Sequence, residues 1–563
     1  PADPEAAAPA RFRVEADRFA YLFVDGTRKT RLDPNDEEEI ALPPGQHQLR
    51  AEAADGPATW EQEVTAEAGT TQPVRISLGS GSDEQEDEAA GSSAALRYGG
   101  VGVGVLVLVL ALGWWALSNE APRARPDQTV ATAAAVVNVV ANDRDPDGQA
   151  LRVQSVGPVP DSVAQVETVD STRVRIRPAS GFAGVARIPY VVADAPGDTA
   201  RSHVTLRVPF NGSQRIVSRE VERPQAVHAI PLAGEGPDVA MAALGPQAVG
   251  WAPNRTGRFD SLSVLQTSGD GAVDVHAADL TGNGRPDVLS TSLRADAVTW
   301  YENQGDRAFG APQPITTSAN GPVAVQTGDV DGDGDADVIV GSLLGQRLLW
   351  YENQGGGTFG EAREIASGVR GLETLHVADL DDDEVPDVLA VSYRDSTVYR
   401  YEPKRTEDDV RFAAGPSVAT PWGGPIEVNT GDLTGNGRPD VVVGLGGSTS
   451  VAVVETQTDA SGALTFGEGR PLTTDVQTVE GLDTGDVDGD GATDVLAGSF
   501  DSDAIVWFEN RGDGTFPAAQ PVASGVQNLL SLEVADVNGD GTPDVVAAAQ
   551  ADDVVAWYEN HLR

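Results

Sequence analysis

Six nine-residue segments carry the densest chemistry in this sequence. They are Asp279-Leu-Thr-Gly-Asn-Gly-Arg-Pro-Asp287, Asp329-Val-Asp-Gly-Asp-Gly-Asp-Ala-Asp337, Asp379-Leu-Asp-Asp-Asp-Glu-Val-Pro-Asp387, Asp432-Leu-Thr-Gly-Asn-Gly-Arg-Pro-Asp440, Asp486-Val-Asp-Gly-Asp-Gly-Ala-Thr-Asp494 and Asp536-Val-Asn-Gly-Asp-Gly-Thr-Pro-Asp544. Oxygen side chains at positions 1, 3, 5 and 9 of a tight loop can surround a hard cation, the donor set that Ca2+ prefers. The intervening glycines permit the turn that points those oxygens inward. The set is fullest at Asp329, Asp331, Asp333 and Asp337, at Asp486, Asp488, Asp490 and Asp494, and at Asp536, Asn538, Asp540 and Asp544. It is thinner at Asp279, Asn283 and Asp287 and at Asp432, Asn436 and Asp440, where Thr281 and Thr434 take the third position. The remaining loop keeps Asp379, Asp381, Asp383 and Asp387 but lacks both glycines, so its turn is expected to differ. Unpaired carboxylates held together repel, and an ion offsets that repulsion, so the expected Ca2+ is structural.

Other chemistry is sparse. The chain has no Cys, which removes disulfides, thiolate metal sites and cysteine nucleophiles. Beyond residue 210 the only histidines are His228, His276, His376 and His561, with the single lysine Lys404. His276 and His376 precede equivalent loops two repeats apart, so the repeat spacing is expected to separate them. No triad and no carboxylate pair outside the loops emerges, and no catalytic residue is assigned.

The loops must be held by repeating elements. Their first aspartates lie 50, 50, 53, 54 and 50 residues apart, and a degenerate copy at 233–238 precedes them. Each unit reads as four strands, one entering the loop, one leaving it, one ending in Trp-Tyr-Glu-Asn text and one following Thr-Phe-Gly. The last unit lacks a fourth strand, and Gln214-Arg-Ile-Val-Ser aligns with fourth strands elsewhere. Seven loops and one borrowed strand predict a seven-bladed β-propeller over 211–563. The recurring Trp300, Trp350, Trp507 and Trp557 are expected between blades. A ligand surface is expected where the pattern is broken, at 403–425 and 455–463, with Trp422 as the candidate contact residue.

The loop text, followed by Val and later Phe-Gly, resembles the FG-GAP/VCBS repeat family, which includes the α-integrin propeller; that resemblance implies Ca2+ in the loops. Residues 120–210 contain Ala-Asn-Asp-Arg-Asp-Pro-Asp-Gly, Pro-Ala-Ser-Gly-Phe-Ala-Gly and Tyr190-Val-Val-Ala-Asp. This wording resembles bacterial cadherin-like tandem-repeat domains of Ig type. Asn142, Asp143, Asp145 and Asp147 cluster there as further oxygen donors. Residues 11–78 alternate in β fashion between turn signals, and Leu42-Pro-Pro-Gly-Gln-His-Gln-Leu resembles the PEGA domain, a small β-sandwich. Residues 1–10 are expected to be disordered and 79–97 an acidic linker.

Residues 98–119 carry no charge and are long enough to cross a bilayer, so a transmembrane helix is expected there. No cleavable signal peptide precedes it, which makes it an uncleaved signal anchor with the N-terminus cytoplasmic and the C-terminal domains periplasmic or extracellular. Gly100 and Gly104 have the spacing of a helix-mediated dimer face. The fold class is thus mainly β, a seven-bladed propeller with an Ig/cadherin-like sandwich, a small N-terminal β-sandwich and one transmembrane helix.

Charge bounds the function. In 563 residues, Lys+Arg total 39 against 86 Asp+Glu, a formal charge of −47. Nucleic acid and anionic membrane surfaces are excluded as partners, because binding them needs a positive surface. The two lysines, Lys29 and Lys404, leave an acidic, arginine-based surface of the kind suited to high salt. The expected function is adhesion or recognition of a protein or glycan by a non-enzymatic, membrane-anchored surface protein. The alternatives are a calcium-dependent enzyme acting on polysaccharide or phospholipid, and a transmembrane sensor or assembly scaffold.

Overall fold

The computed structural model describes residues 10–76 except 17–19, 25–26, 33–36, 43–44, 54–58 and 67–70. It also describes 121–562 except 132, 232–235, 247, 267–270, 407–408, 421–423, 447–450 and 473–475. The chain divides into two compact units, Pro1–Val107 and Leu108–Arg563.

In the first unit two sheets enclose one core. Ala10–Ala16 pairs antiparallel with Glu37–Leu42 and parallel with Thr71–Ile76. The other sheet runs Thr27–Leu32, Ala20–Val24, Gly45–Ala53, Thr59–Ala66. Alternate residues point inward, so Phe12 and Val14 meet Leu22, Leu49, Ala51 and Ile76 between the sheets.

The second unit opens with a seven-stranded Ig-like sandwich. One sheet is ordered Arg152–Val156, Gly184–Ala193, Thr199–Val208, Asp127–Val130, and the other Ala164–Thr168, Arg173–Pro178, Ala135–Asn138. Ile176, Ile188, Val192 and Leu206 fill the space between them. Tyr190 is buried there, and its hydroxyl donates to the carbonyl of Arg125 at 2.8 Å.

Seven antiparallel sheets follow, one per repeat. The third is representative: Pro322–Gly328 enters the acidic loop, Asp337–Ser342 leaves it, and Arg347–Tyr351 and Arg363–Ser367 complete the sheet. The second strand is buried on both faces, which is why it reads as an unbroken apolar run such as Val338-Ile-Val. Gln214–Ser218 supplies the fourth strand of the last sheet, with Arg215 opposite Trp557, as its alignment with fourth strands predicted.

Two expectations of architecture are corrected. The closed seven-bladed propeller is not seen. What the ladders show is one sheet per repeat, each ending at its own edge strands, with side chains of neighbouring sheets packed into shared cores. The transmembrane helix and the single-pass membrane localisation are not supported either. Among the described residues no helix is long and apolar enough to cross a membrane. Residues 98–119, with Gly100 and Gly104, lie outside the described residues, as do the linker 79–97 and Trp422.

Candidate metal centres

Each loop is first a hydrogen-bonded turn. Asp329 accepts from the backbone N–H groups of Gly332 at 2.6 Å and Gly334 at 3.0 Å. Asp486 accepts from Gly489, Asp490 and Gly491, and Asp536 from Asp540 and Gly541. Asp279 and Asp432 bind Asn283 with Gly284, and Asn436 with Gly437, in the same way. Gly332 and Gly334 have φ of 83° and 94°, the left-handed region that glycine enters without strain. In the 379–387 loop Asp382 and Glu384 take those positions with φ of 61° and 65°. The turn that was expected to differ is therefore kept, against a steric cost of about 1–2 kcal/mol per residue.

The ninth aspartate ties the loop to its own sheet. Asp337 accepts from Asn353 N at 2.8 Å and Val330 N at 3.2 Å, and Asp494 from Asn510 N at 2.7 Å and Val487 N at 3.0 Å. Asp287, Asp440 and Asp544 repeat the pattern. The asparagine of the Trp-Tyr-Glu-Asn text then reaches the preceding sheet. Asn353, Asn510 and Asn560 donate from Nδ2 to the carbonyls of Leu280, Leu433 and Val487 at 2.6–2.9 Å. Loop geometry and sheet-to-sheet stapling therefore share the same residues.

Carboxylates converge in three loops among the described residues. Ligand atoms lie within 4.8 Å of one another in Asp329, Asp331 and Asp333, in Asp379, Asp381 and Asp383, and in Asp486, Asp488 and Asp494. The 536–544 loop stands apart from this convergence of acids because its third position is Asn538, an oxygen donor without charge. Burial pushes Asp337 up to about 7 and Asp494 up to about 8, with Asp331 and Asp488 adding to the respective shifts. Asp488 is raised to about 6, first by burial and then by Asp490. These groups are buried at the expense of their charged forms, and a divalent cation would reverse that balance.

The glutamate of the Trp-Tyr-Glu-Asn text was missed. Glu352 adds negative charge beside Asp331, Glu302 beside Asp287, and Glu509 is raised to about 7 by burial and then by Asp488. Its recurrence at a fixed distance from each loop was the available signal. The recurring tryptophans are buried, and Trp300 and Trp350 meet Phe359 and Phe412 of the next sheet edge-on at 6.3 and 5.8 Å. The departures from the repeat pattern form hairpin ladders, Thr397–Arg405 with Val410–Ala414 and Thr456–Thr458 with Leu464–Phe466. In the Ig-like domain, Asp145 accepts from Asp147 N and Gln149 N and so closes a turn, while Asp143 accepts from Arg125 N, 18 residues away.

A second concentration of titratable groups lies on the first strands. Asp274, Glu373, Glu427 and Glu480 line a cavity of about 190 Å³ with Gln225 and Ser531. Burial pushes Asp274 and Glu480 up to about 7, Glu533 up to about 8 and Glu427 well above the usual range. Histidines lie in this layer too, and the pair that meets is not the one the repeat spacing addressed. The His228 and His276 rings meet at 4.7 Å with a 46° tilt, and His276 is held well below its usual pKa by burial, then by His228 and His376. His276 and His376 each bond a threonine hydroxyl, Thr327 and Thr430, at 3.0 Å.

Comparison with known families matches FG-GAP-like repeats at residues 279–340, 379–443 and 458–547, and a bacterial Ig domain at 119–207. No curated protein matches. Similar solved structures include a lectin from Agrocybe aegerita described as recognising non-reducing terminal N-acetylglucosamine, at 16% identity and TM-score 0.38, covering 62% of this chain and 92% of that one. A putative 6-phosphogluconolactonase from Bacteroides uniformis matches at 13% identity and TM-score 0.40, covering 60% and 94%. The Photorhabdus luminescens Tc holotoxin pore matches at 15% identity and TM-score 0.32, covering 70% of this chain and 16% of the toxin.

Proposed function

We propose that this chain, which carries FG-GAP-like repeats and a bacterial Ig domain as surface and adhesion-type proteins do, is a calcium-stabilised, non-enzymatic recognition protein. The observation that carries the metal part is the convergence of Asp486, Asp488 and Asp494, two of them buried, on one point beside Glu509. Asp329, Asp331 and Asp333 offer a second such point. Oxygen-only donors of this number suit Ca2+ rather than a transition metal. The ion would sit where loop and sheet staple coincide, so its role is to hold the repeats together. Recognition of a protein or glycan is assigned to the hairpins that depart from the repeat pattern, which vary while the sheets stay constant.

Calcium titration and melting of the full chain test this reading. A site filled at 100 times its Kd adds about 2.7 kcal/mol of stability, so chelation is expected to lower Tm by several degrees. No bound calcium and unchanged melting in chelator would sink the metal reading. A glycan array run beside depolymerisation assays tests the rest, with stable binding and no turnover expected. Turnover without stable binding would favour a polysaccharide-acting enzyme.

A further inference from the structure

The 379–387 loop differs from its siblings in the third strand beside it, where Pro403 stands in place of the asparagine and a second residue is exchanged. Across the third strands, the position paired with the middle of the second strand is Trp251 opposite Ala240, Trp300 opposite Leu289, Trp350 opposite Ile339, Trp507 opposite Leu496 and Trp557 opposite Val546, with the apolar Val453 opposite Val442 in the fifth sheet. In the fourth sheet the residue at that register, opposite Leu389, is Arg400. Its side chain is 3% exposed, as buried as the tryptophans it replaces. A guanidinium is tolerated at such depth only when its charge is matched.

The match comes from the acidic loop. Arg400 Nη2 lies 2.6 Å from Asp381 Oδ2 and 2.8 Å from Asp387 Oδ1, and Nη1 lies 3.9 Å from Glu402 Oε2. These are the third and ninth loop positions and the glutamate of the third strand. In the 486–494 loop the equivalent residues are Asp488, Asp494 and Glu509, and the residue in the place of Arg400 is the uncharged Trp507. Gly415 completes the accommodation, since a Cβ there would stand 3.0 Å from Arg400 Nη1.

We infer that Arg400 is the resident cation of the 379–387 loop, its guanidinium bridging Asp381 and Asp387 where the sibling loops would hold a metal. The contrast with those siblings rests on the calcium reading above; the guanidinium bridge itself does not. One junction of the array is thereby independent of calcium. The chain keeps a repeat that stays folded when the ion is withdrawn, between neighbours that loosen.

The test is calcium stoichiometry on the full chain, by equilibrium dialysis and calorimetry. Asp383→Asn should leave the bound calcium per chain unchanged, whereas Asp490→Asn, the same position in a sibling loop, should lower the bound calcium. Arg400→Trp should add one calcium per chain, and Arg400→Lys should not. Loss of one equivalent in Asp383→Asn, with the wild-type arginine in place, overturns the inference even if Arg400→Trp fails to fold. Should the wild-type chain bind no calcium at all, the metal reading fails, and the bridge is judged on melting alone. Arg400→Gln must then lower Tm equally with and without chelator, and an unchanged Tm overturns it.

Discussion

Arg207, on the last strand of the Ig-like domain, donates from Nη2 to the backbone carbonyl of Asp488 at 2.7 Å. The sandwich therefore ends on a candidate metal loop rather than on a free linker. Phe210 follows into a core with Val487, Trp507 and Tyr558, and His561 N bonds the carbonyl of Pro209 at 2.8 Å. Hydrogen bonds from charged donors contribute about 1.5–3 kcal/mol. Arg207→Ala should lower stability by about that amount and speed proteolytic cleavage near 209–213. Calorimetry with unchanged melting would show that the two domains do not support each other.

Stability should fall as pH rises through neutrality. Buried Asp274, Asp483 and Glu480 titrate near 7 and Glu533 near 8, against about 4 to 4.5 when unfolded. The folded state then holds more protons than the unfolded one, so stability present at low pH is lost as these groups ionise. His228 and His376, pushed down to about 4 by burial, act in the opposite sense, but only below their unfolded value of 6.5. Between about pH 6.5 and 8.5 the carboxylates act alone, and Tm measured at saturating calcium should decline. Glu480→Gln removes one titrating group and should flatten that slope; a Tm that rises over this window would contradict the assignment.

The buried tryptophans make a separate prediction. Trp507 is fully buried among Leu496, Leu529 and Tyr558. Truncating a buried aromatic to Ala costs about 3–5 kcal/mol. Trp507→Ala should destabilise the chain by that order in chemical denaturation, while Trp507→Phe costs less and leaves any glycan binding intact. Loss of glycan binding in a well-folded Trp507→Phe would show that this residue serves the ligand surface as well as the core.

Part of this molecule was legible because it is local. Strand order within each repeat follows from apolar runs and turn residues close in sequence, and Gln214–Ser218 was placed on the last sheet by matching fourth strands. The acidic loops were legible for the same reason, since Asp329 reaches only to Gly332 and Gly334. The 379–387 loop shows the limit of composition: Asp382 and Glu384 adopt the left-handed turn without glycine because surrounding hydrogen bonds impose it. The closed propeller was an extrapolation from repeat number, whereas the ladders show the sheet of each repeat by itself.

By itself, then, the sequence determined the repeat, its four strands and the spacing of its oxygen donors, because a strand and a tight turn depend on residues a few positions apart. Tertiary structure decided which acids converge, which histidines meet and which loop already has its cation. Arg400 and Asp381 are 19 residues apart, and His228 and His276 lie on different sheets. Their proximity depends on how buried side chains pack across and between strands, and on the need to pair every charge that packing takes out of water.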